Sequence, residues 1–82
     1  MSQHPLLGAL SLETRERLSA LAQQIIDEGW LPDTEHNREA LHYLIERLYR
    51  RGLVIPDKLR FLAVKFAKSA LDETGRLNIN PP

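Results

Sequence analysis

The sequence predicts an all-α fold, a small three-helix bundle joined by short loops that contain glycine and proline. Three observations predict it. Gly29, Gly52 and Gly75 are evenly spaced, and each follows a stretch with apolar residues at helical intervals. Glycine enters the left-handed conformation that ends helices without a Cβ penalty. The chain also starts again through proline after two of them, at Pro32 and Pro56. With 82 residues, this is one domain near the small end of what a single core can stabilise. Dimerisation is therefore one way to complete the core.

Residues 1–10 read as a weakly structured lead whose Leu6, Leu7 and Leu10 are able to dock on the body. The three-helix domain spans 11–75. Ser11 suits an N-cap, because its hydroxyl can accept from the unpaired amides of a first turn. The first helix is expected over about 12–28, with Leu18, Leu21, Ala22 and Ile25 on one face and Ile26 on its flank. Pro32 cannot continue a helix, and Asp33 or Thr34 can cap the next one.

The second helix is expected over about 34–51, with Leu41, Leu44, Ile45 and Leu48 as its stripe. Glu35 early and Arg47, Arg50 and Arg51 late complement its dipole. The third is expected over about 57–74, with Leu59, Leu62, Ala63, Phe66, Ala67 and Ala70 facing the core. Residues 76–82 form a tail too short for an independent element, with Leu77 and Ile79 available to pack back on the bundle. Trp30 reads as a plug at one end, and Tyr49 as half-buried beside its stripe.

Charge is balanced overall but unevenly placed. Residues 1–46 hold three basic and eight acidic side chains, whereas 47–68 hold seven basic residues against Asp57 alone. Such asymmetry marks either an anionic partner or two opposite surfaces that meet. The chain has no cysteine, which leaves no disulfide, thiolate nucleophile or Cys-ligated zinc. Its first residues lack the pattern of a signal peptide, and no apolar run reaches the ~20 residues that cross a bilayer. A cytoplasmic setting without membrane partners is the expectation.

No constellation points to catalysis. Ser2, Ser11, Ser19 and Ser69 have no elbow or triad context, and the glycines are too scattered for a phosphate loop. Glu39 and His42 make a single E-x-x-H step, whereas a di-iron bundle needs two such steps and further carboxylates. No enzyme activity, cofactor or metal is expected.

The functional clue lies on the third helix. Phe61, Val64 and Leu71 fall away from its main stripe and lie with Lys65 and Lys68. The N-terminal leucines or the tail are able to cover that face, but it also suits a second copy or another protein. Tyr43, opposite the second helix's stripe, joins it as a residue type favoured at interfaces. The leading expectation is a non-enzymatic protein-interaction module that binds through this face. The alternative is a helix-turn-helix-like regulator that meets nucleic-acid phosphates with Arg50, Arg51, Lys58, Lys65 and Lys68. Few side chains there are suited to reading base edges.

Overall fold

The computed structural model describes residues 10–79, so the expected docking of Leu6 and Leu7 lies outside the described residues. Three helices follow one another: α1 (Leu12–Asp27), α2 (Glu35–Arg50) and α3 (Pro56–Ala70). They form an all-α bundle in which α2 packs on both neighbours and α1 touches α3 more lightly. The fold class read from the sequence is the one observed.

The helix starts follow side-chain chemistry. The Ser11 hydroxyl oxygen accepts from the Thr14 N–H at 3.1 Å, and the Thr34 hydroxyl oxygen accepts from Asn37 N–H at 3.1 Å. Each satisfies an amide that the first turn leaves unpaired. At α3 the N-cap is Ile55, which offers no such acceptor, and Pro56 begins the helix where its missing N–H costs nothing. At the end of α2, Gly52 N–H donates to Tyr49 O at 3.0 Å and Leu53 N–H to Leu48 O at 3.1 Å. That pair of bonds requires the left-handed backbone of Gly52, whose φ is +105°.

The core collects Leu18, Leu21, Ala22, Ile25 and Ile26 from α1, and Ala40, Leu41, Leu44 and Ile45 from α2. From α3 come Leu59, Ala63 and Ala67, spaced four apart on one narrow line. The two alanines bring the α3 backbone close to its neighbours, so the buried strip is narrower than expected. Phe66, expected in that strip, lies at its edge and is 44% exposed. Val64, expected to face outward, is half-buried and packs against the core.

The third helix ends at Ala70, four residues before the expected end at 74, and Leu71 already has extended backbone. Leu71 therefore belongs to no outer helical face. It pairs with Leu77 in an isolated antiparallel bridge and packs on the core. The cause is Asp72. Its Oδ1 accepts from the Thr74 hydroxyl (2.6 Å), Thr74 N–H (2.9 Å) and Arg76 N–H (3.0 Å). Its Oδ2 accepts from the Asn78 side-chain amide at 3.2 Å. A carboxylate that captures nearby amides competes with the helix for them. The Thr74 hydroxyl, with these other donors, holds the Asp72 carboxyl down at about 2.

Residues 71–79 thus form a strap across the bundle end, fixed by two neighbours at the start of α2. Asn37, 1% exposed, donates from Nδ2 to Pro32 O (2.9 Å) and Gly75 O (2.8 Å). Its Oδ1 accepts from Leu77 N–H at 2.9 Å. His36 Nε2 carries the proton toward Leu77 O at 2.8 Å, since a carbonyl only accepts. Leu77 itself is fully buried. Among the described residues, no buried side-chain nitrogen or oxygen lacks a partner.

Candidate functional site

The residues singled out on α3 divide into two groups. Phe61 is 68% exposed, and Lys58, Lys65 and Lys68 stand exposed beside it. At ~100° per residue, Lys58, Phe61, Lys65 and Lys68 share the side opposite the Leu59–Ala63–Ala67 line. Val64 and Leu71, by contrast, are drawn into the bundle. Tyr43 is half-buried and sits on α2, near the strap.

Phe61 is a ridge between two hollows. One, of about 470 Å³, lies on the α1 side and is lined by Glu28, Asp57, Arg60, Phe61, Val64 and Lys65. Arg60 and Glu28 form an ion pair across it. The other, of about 360 Å³, lies on the α2 side, lined by Leu53, Asp57, Lys58, Phe61 and Leu62.

Two further hollows open beside α2. The first, of about 240 Å³, is lined by Leu44, Arg47, Leu48, Arg51 and Phe66. The second, of about 160 Å³, is lined by His36, Glu39, Ala40, Tyr43 and Ile79. Sequence reasoning did not single out Arg47, Phe66 or Leu53 as site residues. Arg47 and Arg51 did carry a signal, because their four-residue spacing puts two cations on one helical face.

Several cations already have partners. Arg50 lies 3.7 Å from Glu46, and Arg38 makes a two-pronged contact with Asp33 at 2.5 and 2.9 Å. The Arg38 guanidinium holds the Asp33 carboxyl below its ordinary range. Lys68 sits 5.2 Å from the centroid of the Trp30 ring, whose indole N–H donates to Glu28 at 2.8 Å. That contact is a cation–π pairing, so Lys68 helps tie α3 to the α1–α2 turn. Arg47, Arg51, Lys58 and Lys65 form no ion pair among the described residues.

Among the described residues, no group of three or more His, Asp or Glu side chains is placed to hold a metal ion. Nor is any helix there long and apolar enough to cross a membrane. No family model matches the chain, and no curated protein or solved structure is significantly similar to it.

Proposed function

We propose that this chain is a non-enzymatic, cytoplasmic protein-docking module that engages another protein or a second copy of itself through the outer face of α3. The observation that carries this reading is Phe61. It stands 68% exposed between two hollows, on a helix whose inner line is already filled by Leu59, Ala63 and Ala67. The fold does not need a phenyl ring there. Covering it would contribute ~1.5–3 kcal/mol before the costs of association. Lys58 and Lys65, three residues before and four after it, favour an acidic surface and steer its approach.

Sedimentation equilibrium on wild type and Phe61→Glu tests the self-directed form. Mass should rise with concentration in the wild type and remain monomeric in the variant, with unchanged helicity by circular dichroism. The reading is lost if the wild type stays monomeric and both chains also capture the same proteins from host lysate. A nucleic-acid reading keeps one supporting observation: Arg51, Lys58 and Lys65 are exposed and form no ion pair among the described residues. Arg50 beside Glu46 and Lys68 over Trp30 weaken it. Duplex affinity that falls steeply with salt is its signature.

A further inference from the structure

Three of the hollows succeed one another beside α2: the first between α2 and the strap, the second between α2 and α3, and the third between the α2–α3 loop and α3. On the α2 wall their linings advance from residues 36–43 to 44–51, and then to Leu53 just past the helix. On the opposite wall they retreat from Ile79 to Phe66 and then to Leu62 and Phe61. Opposite running orders are what antiparallel packing of α2 and α3 produces. With 16 residues, α2 is about 24 Å long, which bounds the α2–α3 seam at roughly four helical turns.

Its chemistry is specific. The middle hollow has an apolar floor of Leu44, Leu48 and Phe66 beneath Arg47 and Arg51, neither of which has an ion pair among the described residues. Leu62 and Phe66 stand one helical turn apart on α3, which is the spacing of successive anchors on a docked amphipathic helix. Lys58 borders the far hollow, although Asp57 beside it balances the charge there. The excess positive charge is therefore concentrated at the middle of the seam.

We propose that the α2–α3 seam binds an acidic amphipathic helix of a partner protein. Leucine-like side chains from successive turns enter the hollows, and carboxylates on the flank pair with Arg47 and Arg51. This rests on the reading of α3 as a docking helix and names the partner's chemistry. A bidentate carboxylate contact suits arginine, and the leucine floor demands an apolar insert. Nucleic acid fits less well, because the middle and far hollows offer no amide or hydroxyl side chain.

The test is fluorescence anisotropy with a labelled four-turn peptide of about 15 residues. It carries leucines at helical spacing with glutamates on the flanks, and its controls are a lysine-for-glutamate sister and a scrambled acidic sequence. The full-length chain should bind the acidic amphipathic peptide saturably and prefer it to both controls. Arg47→Glu with Arg51→Glu should weaken it about tenfold and shift the preference toward the lysine sister. Phe66→Asp should weaken both, with helicity retained.

Equal affinity for the scrambled peptide, or indifference to the arginine reversal, overturns the proposal. Tighter binding of a short DNA duplex that displaces the peptide also overturns it, assigning the seam to nucleic acid. Binding that appears only in a Leu6→Asp, Leu7→Asp chain would assign the seam to the chain's own leader. If the peptide fails while Phe61-dependent association persists, only the seam proposal falls. If both fail, so does the docking reading.

Discussion

The two ends of the bundle are built on opposite principles. At the strap end, polar groups are fully engaged: buried Asn37 bonds Pro32, Gly75 and Leu77, half-buried His36 bonds Leu77, and exposed Asp72 gathers four donors. At the opposite end, Ile55 leaves α3 without a side-chain cap, and Val54, Ile55 and Phe61 are exposed. Arg51 and Lys58 there have no ion pair among the described residues. Buried hydrogen bonds specify one conformation, because leaving any one unmade is expensive. Exposed apolar and cationic groups specify nothing internally. The first end fixes the fold, and the second leaves apolar and cationic side chains exposed.

The strongest way to break that contrast is at Asn37. Asn37→Ala leaves Gly75 O and Leu77 N–H without a partner in a site that is 1% exposed, while Pro32 O keeps its bond from Thr34 N–H at 3.0 Å. Each unsatisfied buried group costs ~1–3 kcal/mol, and partial relaxation toward water brings the expected total to about 3 kcal/mol. Urea denaturation measures it, and the Leu77 and Asn78 amides should lose hydrogen-exchange protection first. A loss below about 1 kcal/mol would mean that hydrophobic burial of Leu77, rather than Asn37, holds the strap.

Glycine sharpens the same contrast with a smaller effect. Gly52 and Gly75 both have left-handed backbone, with φ of +105° and +83°. At Gly52 an added Cβ meets nothing within 4 Å, whereas at Gly75 it would lie 2.8 Å from Pro32 Cγ. Gly52→Ala should cost only the backbone strain, about 1 kcal/mol. Gly75→Ala adds displacement of the strap from the α1–α2 turn and should cost about 2 kcal/mol. Equal melting shifts in the two variants would show that the strap is not pressed against Pro32.

What the sequence disclosed, and what it withheld, follows the same division. Helix number, the caps at Ser11 and Thr34 and the stops at Gly29 and Gly52 are local properties, decided within a few residues. The end of α3 is not local. Asp72 begins the turn, but Leu77 stays in place through Asn37 and His36, distant in sequence. Asn37 did carry a signal, since it precedes Leu41 by four residues and Leu44 by seven and so shares their stripe. A stripe drawn from apolar residues alone passes over a polar one. Phe66 and Val64 were misplaced because a stripe drawn from spacing cannot tell how closely Ala63 and Ala67 let α3 approach its neighbours. The seam was illegible for a related reason: its two walls come from different helices.

The smallest effect is the most discriminating one. Phe61→Glu should leave monomer stability within about 0.5 kcal/mol of wild type, despite the loss of an aromatic ring. Only about a third of the residue's surface is covered, since Phe61 is 68% exposed, so little burial is lost. Glutamate is the better helix former by a few tenths of a kcal/mol. It would also lie four residues before Lys65 and three after Lys58, each pairing contributing about 0.2–0.5 kcal/mol, against a like-charge step of similar size from Asp57 four residues earlier. The gains and the loss nearly cancel. Measurement belongs at low protein concentration, where self-association adds nothing to the wild type. A destabilisation above about 1.5 kcal/mol under those conditions would make Phe61 part of the fold. The open end would then serve the fold as the strap does, and Phe61 would not be available to a partner.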